Sequence, residues 1–111
     1  MFVFHKDTCN EITGDGVSRH VLAHSGSLMA VEVCFEQGAV GPMHQHPHEQ
    51  LTYVLSGVFQ FTIGEETRIV AQGDSLYKSS GIQHGCVCLQ SGKLLDVFTP
   101  IRDDFLPSQD I

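Results

Sequence analysis

Residues 41–57 read GPMHQHPHEQLTYVLSG. His44, His46 and His48 recur at every second position and run into Glu49, Gln50 and an apolar strand. Side chains two apart on a β-strand emerge on one face about 6.6 Å apart, so two imidazoles can converge on one ion at a metal–nitrogen distance of about 2.1 Å. His44 and His46 fit that spacing. A straight strand would carry His48 about 13 Å from His44, too far to reach the same ion, and Pro47 predicts a bend here. Beyond the bend, Glu49 and Gln50 must face opposite sides of the strand they begin, so only one of them can join the two histidines.

Outward from this stretch, helical periodicity is nearly absent, and period-two alternation recurs in short blocks bounded by Gly, Pro, Ser or Asp. The chain reads as all-β, with strands predicted at 2–5, 17–24, 28–36, 49–56, 58–63, 66–71, 75–78, 83–89 and 93–98. In LMAVEVCFE, Met29, Val31, Val33 and Phe35 share one face and Ala30, Glu32 and Cys34 the other. In VFQFTI, Phe59, Phe61 and Ile63 oppose Val58, Gln60 and Thr62. One apolar face per strand is what a sandwich or barrel requires. Ser56-Gly57 is predicted to form a tight hairpin, IGEET a second, and AQGDSLY a third turn. The tail RDDFLPSQDI is polar and contains proline, so its last residues are expected to be loose.

With 111 residues the chain has room for one core, and residues 1–111 are read as a single domain. The formal net charge is -7 and Lys and Arg form no cluster, which argues against nucleic acid, whose phosphates are neutralised by grouped cations, and against an anionic membrane surface. No apolar run is long enough to span a bilayer, and MFVFHKD lacks the parts of an export signal, so a cytoplasmic location is expected. Cys9, Cys34, Cys86 and Cys88 have no zinc-finger spacing, and Cys86 and Cys88 are awkwardly placed for a disulfide; all four read as reduced.

The stretch from Gly38 to Gly57 resembles the first motif of the cupin superfamily: Gly38, AVGPM, His44, Gln45, His46, PHE, Gln50, LTYVLS, Gly57. Gly73, DSLYK, Ser79, Ser80, Gly81, IQ, His84 resembles the second, with Ser79 in place of a proline and Cys88 in place of an asparagine. The resemblance implies a double-stranded β-helix, the jelly-roll barrel of a single-domain cupin. It also implies a divalent metal held by His44, His46 and His84, with Gln50 at the position the motif gives to an acid. His5, His20, His24 and His48 are read as solvated or bonded in place. A neutral glutamine leaves the full double charge on the ion and makes it a stronger Lewis acid toward an anion. Histidine and amide ligands accept several first-row metals, so Ni, Zn, Mn and Fe all remain open.

In LLDVFTPIRDDF, Asp96 lies among apolar residues and shares a face with Phe98. It either lines a cavity or faces solvent from an edge strand. Arg102 could supply a bidentate fork for a carboxylate ligand, or could pair with Asp103 or Asp104 at the surface.

A closer resemblance covers nearly the whole chain: GPMHQHPHEQLTYVLSG, GDSLYK, HGCVC and LLDVFTP are similar to the KdgF family of small pectin degradation proteins. That likeness implies ring opening of 4,5-unsaturated uronate monosaccharides to 5-keto-4-deoxyuronate, with Asp96, Phe98 and Arg102 as the pocket residues that carry activity. The chemistry needs a proton to leave the anomeric hydroxyl and one to reach C4. Asp96 suits that shuttle, Arg102 the anion, and Phe98 the sugar face. Two other functions are open to the same ligands: an iron-dependent cupin dioxygenase, told apart by oxygen consumption, and a noncatalytic sugar-binding cupin, told apart by binding without loss of the conjugated double bond. An alternating β chain with an uncovered edge is expected to pair as a homodimer.

Overall fold

The computed structural model describes residues 1–107. Eight strands follow one another: β1 (Glu11–Gly14), β2 (Val17–Ser25), β3 (Leu28–Phe35), β4 (Val40–His44), β5 (Glu49–Ile63), β6 (Glu66–Ala71), β7 (Ser75–Lys78) and β8 (His84–Thr99). They form one hydrogen-bonded sheet in the order β1-β2-β3-β8-β5-β6, with β4 added to β8 and β7 added to β5. Every pairing is antiparallel.

The two long strands fold this sheet into a barrel. The second half of β8 pairs with β3, from Gly92 opposite Phe35 to Phe98 opposite Met29, while its first half pairs with β4. Likewise the start of β5 pairs with β7 and its end with β6. Each long strand therefore passes from one layer, β1-β2-β3-β8-β5-β7, into the other, β4-β8-β5-β6. The passage occurs at Gly57, whose φ is 84° and whose added Cβ would lie 2.6 Å from the Gln90 carbonyl oxygen. Only glycine combines that backbone angle with so close an approach. The opposing Gly92 is packed against Ser56 and Gly57 in the same way.

Ser56-Gly57 is therefore not the hairpin expected from the sequence but a kink within one strand, flanked by register shifts between Val54 and Ser56 and between Ser56 and Val58. The strands expected at 83–89 and 93–98 merge for the same reason, because a glycine bends a strand without ending it. No strand forms at 2–5. There the Thr8 hydroxyl donates to the His5 carbonyl and closes a single 3-10 turn, His5–Asp7, leaving Phe2 and Phe4 exposed. β1, an exposed edge strand, and β4, which contains Gly41-Pro42, show no alternation and were not expected. The other two turns stand where the sequence puts them: Ile63 pairs with Glu66 across the β5–β6 hairpin, and the Asp74 amide donates to the Ala71 carbonyl. The expectation for the last residues of the tail lies outside the described residues.

The alternation read in β3 and β5 is the core pattern. Phe35, Val54, Phe59, Phe61, Val70, Cys88 and Leu94 pack between the layers, with the Phe35 and Phe59 rings edge to face at 5.4 Å. Phe59 is wholly buried, which alone stabilises the fold by about 1.5–3 kcal/mol. A second cluster of Met29, Val31 and Phe98 is capped by Ile101, Phe105 and Leu106 from the segment after β8. The barrel also buries six polar side chains, His46, Gln50, Thr52, Lys78, His84 and Asp96. All four cysteines are free thiols, with Cys86 and Cys88 buried.

Candidate functional site

His44 ends β4 and lies opposite His84, which begins β8. His46 follows in the loop, and Gln50 enters from the second position of β5. The ring centroids are 4.3 Å apart for His44 and His84, 4.9 Å for His46 and His84, and 5.6 Å for His44 and His46. One ring nitrogen from each lies within 4.8 Å of the others. The structure thus brings together all four side chains singled out as ligands.

The backbone sets how the rings present themselves. Nδ1 of His44 lies 2.8 Å from the Pro42 carbonyl, Nδ1 of His84 3.0 Å from that of Ile82, and Nδ1 of His46 3.2 Å from that of His48. A neutral imidazole that donates from Nδ1 offers a lone pair at Nε2. Nε2 of His84 is buried with no hydrogen-bond partner, and an unsatisfied buried polar atom costs about 1–3 kcal/mol. Nε2 of His46 lies 2.9 Å from Oε1 of Gln50. With Nδ1 protonated these two atoms are both acceptors, and two donors to one cation at a right angle sit about 3 Å apart. An orphaned lone pair and two facing acceptors fit a divalent cation well. Burial pushes His84 down to about 4, its bond to the Ile82 carbonyl opposing and the positive Lys78 adding to the shift. Burial likewise lowers His46. Both rings are therefore neutral at neutral pH, as metal ligation requires.

Glu49 faces the other way, where its Oε1 accepts a hydrogen bond of 2.7 Å from the exposed Tyr77 hydroxyl. His48 stays outside the ligand group; its ring packs 5.3 Å from that of His46 and 6.4 Å from Phe98.

The site opens into a cavity of about 750 Å³ lined by His44, Gln50, His84, Asp96, Phe98 and Arg102. Asp96 sits in the middle of β8, between β3 and β5, and is 7% exposed, so it takes the cavity-facing of its two sequence readings. Its Oδ1 accepts a 2.6 Å bond from the Thr52 hydroxyl. Phe98 lies with its ring edge-on to His46 at 5.9 Å and to Phe105 at 5.6 Å. Arg102 takes the second of its two readings, pairing with Asp104, from a place on the cavity wall. Its guanidinium stacks 4.2 Å from the Phe105 ring and lines the cavity, while Nε and one terminal nitrogen donate to the Asp104 carboxylate at 3.0 and 2.8 Å.

Four further residues on or directly behind the cavity wall escaped the sequence reading: Lys78, Arg19 and Phe105 line it, and Thr52 lies beneath Asp96. Thr52 is fully buried, and its position two beyond Gln50 already places it on the same inward face. Lys78 is 2% exposed and donates from Nζ to the Thr52 hydroxyl at 2.9 Å; a lysine ending a short strand reads as solvated, so nothing in the sequence marked it. Burial lowers its pKa, with Asp96 opposing. Phe105 stacks on Arg19, whose guanidinium carbon lies 3.7 Å from its ring centre.

A β-barrel with three histidines and an amide at one end of its interior is the construction of a cupin, and the cupin domain family matches residues 31–98, so the chain belongs to that family. Within it, the chain is 42% identical over 98 residues to the pectin degradation protein KdgF of Dickeya dadantii, covering 86% of this chain and 89% of that protein. The solved structure of KdgF from Halomonas sp. superposes with a TM-score of 0.91 at 36% identity, covering 96% of this chain and 98% of that one. An RmlC-like cupin from Shewanella frigidimarina is equally near in shape, with a TM-score of 0.91, 37% identity and 95% coverage of both chains. No helix is long and apolar enough to cross a membrane among the described residues.

Proposed function

We propose that this protein opens the ring of 4,5-unsaturated uronate monosaccharides, giving 5-keto-4-deoxyuronate in the breakdown of pectin or alginate. The observation that carries the reading is one cavity with two kinds of lining. Three imidazoles and an amide oxygen converge in it, and a buried carboxylate, an aromatic face and a guanidinium stand beside them. The similarity to the pectin degradation protein KdgF over most of the chain supports a role in pectin breakdown.

His44, His46, His84 and Gln50 would hold a divalent metal, which when bound supplies Lewis acidity toward the oxygens of an acid sugar. The remaining work falls to side chains of this chain. In the substrate the ring oxygen belongs to an enol ether conjugated with the carboxylate. Asp96 takes the proton of the anomeric hydroxyl, the bond from C1 to the ring oxygen breaks, C1 becomes an aldehyde, and the enol pair takes the proton back at C4 to leave a ketone at C5. No water is consumed. Oδ1 of Asp96 is occupied by the Thr52 hydroxyl, which leaves Oδ2 to carry the proton. Arg102 pairs with the substrate carboxylate in place of Asp104, and Phe98 packs on the sugar ring. The chain is acidic overall, so at the short range where binding is decided the local cations must outweigh the net charge of -7.

The test is direct: purified, metal-analysed protein is mixed with an unsaturated uronate monomer and the ultraviolet absorbance of the conjugated double bond is followed. Enzymatic loss of that absorbance supports the reading, and saturable binding with the absorbance intact overturns it.

The protein is further proposed to act as a homodimer. Leu51, Tyr53 and Tyr77 stand 48%, 44% and 56% exposed on the outer face of β5 and β7, a row of apolar side chains on the layer that also carries Asp96. Sedimentation equilibrium reporting a monomer would remove this part of the proposal.

A further inference from the structure

Thr52 is a wholly buried hydroxyl with three polar neighbours. Nζ of Lys78 lies 2.9 Å from its oxygen, Nε2 of Gln50 3.4 Å and Oδ1 of Asp96 2.6 Å. A hydroxyl has one hydrogen to give and two lone pairs to receive with. The Lys78 and Gln50 nitrogens donate to the two lone pairs, and the single hydrogen points at Asp96. Every valence of the hydroxyl is used, and its direction is set by Lys78, which is itself buried to 2% exposure on the last residue of β7.

Two consequences follow from that one oriented group. The amide of Gln50 has its nitrogen turned to Thr52, so its oxygen faces His46 and the ligand cluster. A glutamine side chain is nearly symmetric in shape, and without the hydroxyl the opposite orientation, with an NH2 group facing a cation, would fit as well. On the other side, Asp96 has Oδ1 engaged and its carboxylate plane held, which leaves Oδ2 for the cavity.

We propose that Thr52, aimed by Lys78, is a positioning residue that fixes both the liganding face of Gln50 and the reactive oxygen of Asp96. The Asp96 half of this inference rests on the function proposed above; the Gln50 half requires only that the site hold a metal. Thr52 and Lys78 belong to neighbouring strands of one layer, with Gln50 opposite Lys78 and Thr52 opposite Asp96 in register. Gln50 in the ligand cluster and the Asp96 carboxylate are thereby joined through a single side chain.

The experiment uses Thr52→Val, which keeps the shape and removes the hydroxyl, Thr52→Ser, which keeps the hydroxyl, and Lys78→Met. Zn2+ affinity is measured by competition with a chromophoric chelator, kcat and KM on an unsaturated uronate, and the denaturation midpoint of the metal-free protein. Thr52→Val is expected to bind Zn2+ about tenfold to a hundredfold more weakly and to lose kcat by a similar factor with KM little changed, while Thr52→Ser restores both. Lys78→Met is expected to shift both quantities in the same direction.

Wild-type Zn2+ affinity in a folded Thr52→Val overturns the Gln50 half, and wild-type kcat overturns the Asp96 half. If Thr52→Val does not fold, Lys78→Met decides in its place, since unchanged affinity and kcat in that variant overturn the inference. If the wild-type protein leaves the uronate intact, the Asp96 half falls together with the proposed function, and the Zn2+ titrations still decide the Gln50 half.

Discussion

Replacing Asp104 with Ala should improve the binding of an anionic substrate. The Asp104 carboxylate holds the side-on edge of the Arg102 guanidinium, Nε and one terminal nitrogen, at 3.0 and 2.8 Å, so a uronate must displace it to use that edge. The Asp104 side chain is 60% exposed and that of Arg102 13%, which makes the pair half-shielded. An ion pair of this kind contributes about 0.5–1 kcal/mol. Released to the substrate, that energy lowers KM about two- to fivefold, at 1.4 kcal/mol per factor of ten. The folded protein loses no more than the same amount of stability.

The pH dependence of that loss has a definite sign. Its hydrogen bonds to Arg102 hold the Asp104 carboxyl below its ordinary value of 3.8, so the unfolded chain takes up a proton first as pH falls. The pair's contribution is therefore full above about pH 4 and fades below it, and Asp104→Ala should match the wild type in denaturant titrations only in that acid range. Initial rates across uronate concentrations give KM, and the cycle with Arg102→Ala isolates the coupling. If Asp104→Ala leaves KM unchanged, or lowers it equally when Arg102 is already alanine, then Arg102 is not the residue that receives the substrate carboxylate.

Asp96→Ala should keep its metal, measured by elemental analysis, yet lose turnover by about a hundredfold to ten-thousandfold, the range of a lost general base; full activity would remove the proton shuttle. Gly57→Ala places a Cβ 2.6 Å from the Gln90 carbonyl oxygen at a φ of 84°, and the strain and overpacking together should cost about 2–5 kcal/mol in chemical denaturation. Burial pushes the Cys86 thiol up to about 11, so iodoacetamide at pH 8 should label the exposed Cys9 in the native protein and reach Cys86 only after unfolding, as read by peptide mass spectrometry.

Strand alternation carried the fold, because Met29, Val31 and Phe35, and Phe59 and Phe61, point inward wherever the chain is extended and one face is apolar. What alternation cannot tell is whether a glycine ends a strand or bends it. Ser56-Gly57 looks like a hairpin locally, and only the close pass of Gln90 and Gly92, more than thirty residues away in the chain, makes it a kink. The His44–His46 pair was legible for the opposite reason, since its spacing is local. The choice of Gln50 over Glu49 and the recruitment of His84 needed motif resemblance, because the geometry joining them is set by the pairing of β4 with β8 and of β5 with its neighbours. Lys78 could not be read at all: its burial depends on the Thr52 and Asp96 side chains brought to it by two other strands.

All three imidazoles are steadied by carbonyls only two residues away in their own segments: Pro42, His48 and Ile82. The aim of each ring is thus written into a short peptide and does not depend on the far wall of the barrel. Substitutions that leave these three peptides alone can then reshape the cavity wall around Asp96 and Arg102 while the aim of the imidazoles survives. Gln50, tied through Thr52 to Asp96, is the member of the cluster that such changes would reach.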